Sequence, residues 1–408
     1  MNALSQRLPA YSLFAAVISA AGLPIYIYAP KYYADTYGVS LTALGTLLFA
    51  LRLFDVVQDP VLGWISERLR ASKAFWVSMG AALLAASMWG LFAVAPPFAP
   101  IWWFGLTITG LFTAFSFLTI NFYAQGVVKA SKMENGHVRL AAWRETGALL
   151  GVCVAAVAPT ILMGFVDEPF AIFALGFIAA VAIGTLWIWP EWSKTPPAEP
   201  SNITEITADP IARRLLILAL FNATPLAVSS TLFLFFVESR LGAVGWEGPL
   251  LVLFFLAAAL SAPIWSRIAL RLGSKRTLLV AMVLAIISFA YTVTLSTGDE
   301  IQFAVICVLS GATIGADLTL LPAMFARRMA KVSPNGGQGF GLWSLVSKFT
   351  LAFAAVILLP VLENAGFVAG QTDLPESTLN TLTMLYAGVP LILKLVAVAI
   401  LATTKLEE

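Results

Sequence analysis

The sequence predicts an all-α membrane protein of twelve transmembrane helices arranged as two pseudo-symmetric six-helix halves. Three observations carry this. Of 408 residues, 60% are apolar and only 11% charged, against roughly 25% charged in soluble chains. Apolar stretches of about 20 residues, long enough to cross the hydrocarbon as helices, recur along the whole chain with short polar breaks. Runs such as Leu250–Leu260 and Leu278–Ile287 are apolar on every face, which excludes the alternating pattern of a barrel strand. The net charge of +2 gives no case for a nucleic-acid partner. The expected surroundings are a lipid bilayer.

The spans fall near residues 10–31, 40–62, 74–95, 100–125, 139–165 and 168–190, then 213–237, 247–271, 276–296, 301–327, 337–363 and 380–403. The first is too long for a signal-peptide core and reads as a retained helix. Lys and Arg mark the cytoplasmic side. With the N-terminus inside, Arg68, Arg70, Lys73, Lys129, Lys132, Arg213, Arg214, Arg327 and Arg328 share one side, while Lys31 and Arg240 lie opposite. Both termini are therefore expected in the cytoplasm of a bacterial-type inner membrane. The polar break Pro190–Pro210 suggests an N-terminal half at 1–190, a cytoplasmic linker at 191–212 and a C-terminal half at 213–408. The halves echo each other: Pro60-Val61-Leu62-Gly63-Trp64 and Pro263-Ile264-Trp265 each lead into a basic loop. Such parallel repeats place a substrate site between halves in major facilitator transporters.

An ionisable residue within a span is costly unless paired or hydrated, so each is a functional candidate. Eight qualify: Arg52, Asp55, Asp59, Arg144, Glu145, Asp317, Lys348 and Lys394. Offsets of three and four put Arg52, Asp55 and Asp59 on one face of the second span. Two carboxylates one turn apart repel unless a proton or cation lies between them, and hard cations seek several oxygens. That pattern suits a coupling ion, with a structural ion pair as the plainer alternative. Arg144 and Lys348 are single cations, one per half, available to a polar solute; snorkelling is the alternative for Arg144. Glu145 suits a local pair, and Asp317 with Lys394 reads as a structural pair. Asn121 and Gln125, one turn apart, suit either solute binding or interhelical bonding. Tyr26 and Trp343 offer ring faces for stacking. No phosphate-cradling loop, metal-ligand spacing or nucleophile elbow occurs, so neither an enzyme nor a cofactor is expected, beyond Na⁺ as a coupling ion. The chain reads as a monomer.

The stretch Lys31-Tyr32-Tyr33-Ala34-Asp35-Thr36-Tyr37-Gly38-Val39-Ser40, followed by Arg52-xx-Asp55-xxx-Asp59-Pro60-xx-Gly63-Trp64, resembles the melibiose-permease-like group. These are the glycoside–pentoside–hexuronide:cation symporters of the major facilitator superfamily, and the resemblance covers most of the chain. It implies Asp55 and Asp59 as cation-site carboxylates with Gln58 between them. Arg52, Arg144 and Lys348 match the family's charged positions. Gly63 to Lys73 would be its cytoplasmic gate loop, with Glu67 where an aspartate is usual and Arg68 beside it. Two departures stand out. The family's sugar carriers place acidic residues in the first and fourth spans, where this chain has Ile18, Ser19 and Asn121. The expected function is Na⁺- or H⁺-coupled symport of a small polar solute such as a sugar or sugar acid. Transport of a lysolipid or other amphiphile is the alternative.

Overall fold

The computed structural model describes residues 7–192, 202–333, 336–367 and 374–405. The described residues form helices and connecting turns. The predicted span at 10–31 is two helices, α1 (Leu8–Ala20) and α2 (Gly22–Tyr37), interrupted at Ala21. Pro24 has no N–H to offer the Ala20 carbonyl, and Gly22 holds helical geometry weakly, so the ladder fails there. The remaining spans of the first half are α3 (Leu41–Arg68), α4 (Lys73–Phe92), α5 (Pro100–Ala130), α6 (Gly136–Leu162) and α7 (Pro169–Ile188). A short α8 (Ile203–Ala208) lies in the predicted linker, whose residues 193–201 fall outside the described residues. Then come α9 (Pro210–Phe235), α10 (Glu247–Leu272), α11 (Ser274–Ala290), α12 (Glu300–Val332), α13 (Gly337–Asn364), α14 (Glu376–Thr383) and α15 (Val389–Thr403). One π turn, Phe236–Arg240, extends α9, and another, Met384–Gly388, joins α14 to α15.

Local chemistry explains the helix starts. Pro100, Pro169 and Pro210 each stand in the first turn, where a missing N–H costs nothing. Asp209 caps α9 by accepting the Ala212 N–H at 2.7 Å. Among the described residues ten helices are long and apolar enough to cross a membrane. Of the other two predicted spans, one is the broken α1–α2 pair and the other is the 28-residue α3. Large apolar side chains such as Val154, Leu186, Leu260, Ile287 and Ile392 are more than 60% exposed. An aqueous surface does not carry such a belt; hydrocarbon solvates it.

The helices cluster into two units. Unit 1 holds the described residues up to Ile206 together with Ala326–Leu345; unit 2 holds Thr207–Phe325 and the described residues from Val346 on. Chain order predicted a simple division near residue 200, whereas the end of α12 and the start of α13 belong with unit 1. The reason is close packing of glycines within unit 1. A Cβ on Gly63 would lie 2.7 Å from the Gly337 carbonyl oxygen, and one on Gly341 3.0 Å from the Asp59 carbonyl oxygen. Glu67, on the same face of α3, accepts the Gln338 backbone N–H at 2.9 Å. This carboxylate therefore meets the electropositive first turn of α13.

Unit 1 is built on α1 packed against α6. Gly147 and Gly151 of α6 lie so close to α1 that a Cβ on either would collide with the carbonyl oxygens of Ser12 and Ala16, respectively. Small residues four apart let helix backbones approach in lipid, where apolar burial alone gives little drive. Gly147→Leu should cost about 1–3 kcal/mol through overpacking. Its apparent melting temperature in detergent should fall below that of the parent; an unchanged value would mean that α1 yields without loss.

Candidate functional site

Asp55 and Asp59 lie on the inward face of α3 in unit 1, 5% and 0% exposed. Four residues at 1.5 Å rise separate them by about 6 Å along the axis. Neighbouring Leu53, Phe54 and Val57 are exposed, so the helix is amphipathic in an unusual sense: acids inward, hydrocarbon outward. Asp55 Oδ1 accepts from Ser116 Oγ of α5 at 2.9 Å and from Gln58 Nε2 at 2.8 Å. Gln58 Oε1 in turn accepts from Thr113 Oγ1 at 3.0 Å. Gln58 is thus turned with its amide nitrogen, not its carbonyl oxygen, toward Asp55. Pro60, inside α3, has no N–H to offer the Val56 carbonyl. Arg52, on the same helix, is half-buried.

Also in unit 1, Arg144 and Glu145 are buried on α6, following buried Leu140, Ala141 and Ala142. Arg144 Nε donates to Glu145 Oε1 at 2.8 Å, and both side chains are less than a tenth exposed. The Arg144 guanidinium lies 3.6 Å above the Tyr123 ring, and the Tyr123 hydroxyl donates to the same Glu145 oxygen at 2.9 Å. Phe340 packs on Tyr123 with ring centroids 5.1 Å apart. Arg144 is therefore neither isolated nor snorkelling, as sequence alone allowed. Its Nη2 is buried with no hydrogen-bond partner among the described residues, which leaves an unspent cationic donor.

The other predicted residues divide by surroundings. Asn121, 1% exposed, accepts from Ser66 Oγ at 2.7 Å and donates to the Phe117 carbonyl at 2.8 Å. Its amide oxygen thus ties α5 to α3, while its nitrogen bonds back to its own helix. Gln125 Nε2 donates to the Glu191 carbonyl at 2.5 Å. Gly63 and Glu67 hold the α13 start as described, while Arg68 turns outward and stacks over Trp64 at 3.9 Å. Trp343 is half-buried in unit 1; Lys348 is half-buried on α13 in unit 2. The Tyr26 side chain lies outside the described residues. In unit 2, Lys394 pairs with Asp317, the partnership expected from their shared polarity within spans.

Sequence reasoning missed Thr113 and Ser116, single hydroxyls in an apolar run with no periodic signal. It also missed Glu191, whose carboxylate accepts from Lys129 at 2.6 Å and lies 4.0 Å from Arg7. A lone acid just past a span looked like a loop residue, yet it ties the ends of α1, α5 and α7.

The family described as MFS/sugar transport protein matches residues 10–408. Among solved structures, a bacterial homologue of the iron transporter ferroportin in an outward-facing state superposes with a TM-score of 0.72 at 15% identity, covering 98% of this chain and 99% of that one. The same kind of protein with soaked iron gives 0.70 at 14% identity, with coverage of 98% and 99%. Likeness at such identity speaks for the fold. A family match across nearly the whole chain speaks for descent: this chain belongs to the MFS/sugar transport protein family and is a membrane transporter of the major facilitator fold.

Proposed function

We propose that the protein is a cation-coupled symporter of a small polar organic solute, with Asp55 and Asp59 as the coupling carboxylates. One observation carries this reading: two acids one turn apart, both buried, on a helix whose opposite face is exposed and apolar. Held one turn apart and both charged, the two acids repel, and a cation bound beside them relieves that repulsion.

The coupling ion on this reading is the proton. A Na⁺ shell at Asp55 wants oxygens at short range, but Gln58 offers Asp55 an N–H and gives its carbonyl oxygen to Thr113. A proton needs only one carboxylate oxygen. The solute on this reading is acidic, a sugar acid for example, because the Arg144 guanidinium has a donor unspent after Glu145 and Tyr123 are served. Protonation of the coupling acids and solute binding favour the same state, so each strengthens the other by an equal factor.

The test is a thermal-shift screen of purified protein against sugars, sugar acids and lysolipids, at two pH values, with and without Na⁺. Stabilisation by a sugar acid that strengthens at lower pH and ignores Na⁺ supports the reading. Strengthening by Na⁺ alone would replace the proton with sodium. Stabilisation confined to lysolipids would overturn the solute class.

A further inference from the structure

The basic loop that follows Pro263-Ile264-Trp265 has no part in the coupling reading. It joins α10 to α11 in unit 2 through Gly273 alone, held at φ 85°. The two helices pack on each other, and both bring arginines to the end where they join. Arg267 and Arg271 close α10, and Arg276 opens α11. All three are exposed. Among the described residues, none of the three hydrogen-bonds or pairs with a carboxylate.

The neighbouring cations are spent on the protein. Lys275 Nζ donates to the Ala402 and Thr404 carbonyls at 2.9 and 2.8 Å, and Arg214 Nη1 donates to the Thr403 carbonyl at 2.9 Å. Both thus serve the end of α15, whose carbonyls attract cations. In the matching loop of unit 1, Arg68 stacks over Trp64 and Lys73 is buried. Arg267, Arg271 and Arg276 differ, because they hold three positive charges at one end of a helix pair with no protein group to answer them.

The arginines also stand at the foot of exposed apolar stripes. On α10, Leu253, Leu256, Leu260 and Ile264 lead to Arg267 and Arg271 in steps of three and four, along one face. On α11, Val280, Val283, Leu284 and Ile287 continue the face that Arg276 begins. Leu253 to Arg267 covers about 21 Å of rise and Arg276 to Ile287 about 16 Å. One leaflet of hydrocarbon is about 15 Å deep, so each stripe is long enough for an acyl chain lying along it. A guanidinium bonds a phosphate through two parallel N–H groups, and each basic residue near an anionic membrane surface contributes about 1 kcal/mol. A zwitterionic headgroup carries its own ammonium and leaves the cluster's charge unanswered.

We propose that the joined ends of α10 and α11 form a binding site for an anionic phospholipid. Arg267, Arg271 and Arg276 hold its phosphate, and its acyl chains lie on the two stripes. The site is separate from the coupling acids and does not depend on them.

Native mass spectrometry of the full-length protein in neutral detergent tests this, with titrations of phosphatidylglycerol and of phosphatidylcholine bearing the same chains. The first phosphatidylglycerol should bind about tenfold more tightly, equivalent to about 1.4 kcal/mol. The double variant Arg267→Gln, Arg271→Gln should erase that preference without changing the melting temperature in lipid-free detergent. Lys132→Gln, Arg327→Gln, an equal loss of charge at exposed residues of unit 1, should keep it. Glycerol 3-phosphate, a phosphate without chains, should not bind at the same concentrations. Equal affinity for the two lipids, a preference that survives Arg267→Gln, Arg271→Gln, or one lost in both double variants would overturn the proposal. Saturable binding of glycerol 3-phosphate would do so too, by making the site one for free phosphate. A tenfold gain in phosphatidylglycerol affinity on Glu407→Gln, Glu408→Gln would overturn it by making the chain's own acids the occupant.

Discussion

Asp55→Asn and Asp59→Asn are each expected to abolish uphill accumulation of solute while preserving downhill exchange. Both acids are at most 5% exposed, and about 6 Å of helix rise separates them. Two full charges at that separation repel by about 3 kcal/mol even at an effective dielectric near 20. In the proposed mechanism, a cation that arrives with the solute and leaves with it relieves this repulsion in one state and restores it in the other. Asparagine keeps the shape and most hydrogen bonds but carries no charge, so the repulsion that the cation would relieve vanishes. For one proton per solute, a gradient of one pH unit supports about tenfold accumulation, equivalent to about 1.4 kcal/mol. Proteoliposomes bearing either variant should reach a ratio near one, with counterflow of labelled solute still measurable. Accumulation equal to that of the parent in both variants would make the carboxylates structural.

The second large effect is expected at Arg144. Arg144→Gln should remove solute binding and also destabilise unit 1, because Glu145 then stays buried without its cation. Breaking a buried pair from one side costs about 3–5 kcal/mol. The double variant Arg144→Gln, Glu145→Gln separates the two roles. It removes both charges, so most of the stability should return while solute binding stays absent. Arg144→Lys should fail to bind as well, since an ammonium cannot lie flat on Tyr123 while bonding Glu145. Thermal melting with and without solute reads both quantities. Wild-type affinity in the double variant would assign Arg144 to packing.

Much of the fold was legible because membrane insertion is decided locally. The predicted span 247–271 is the helix Glu247–Leu272, and 337–363 is Gly337–Asn364. Helix ends extended further where backbone bonding continues into polar residues: α5 runs to Ala130 rather than 125, and α3 to Arg68 rather than 62. The break at Ala21 was signalled by Gly22 and Pro24 but was masked by the apolar run around it. What sequence could not reveal was tertiary. The Gly63, Gly337 and Gly341 approach that gathers 326–345 into unit 1 joins residues nearly 280 apart. At the candidate site, the acids were visible because a charge in an apolar run stands out. The Ser116 and Thr113 hydroxyls were not, since threonine and serine in a span usually bond their own helix. The orientation of Gln58 was beyond sequence, because either end of an amide can face a carboxylate's neighbourhood.

Coupling itself is tested most directly by uptake into proteoliposomes of the unmodified protein, with a stabilising sugar acid as solute and either a proton or a sodium gradient imposed. An inwardly directed proton gradient should drive accumulation above the external concentration, with solute-dependent alkalinisation outside, and a sodium gradient at equal pH should not. Equilibration to a ratio of one under both gradients would contradict cation-coupled transport.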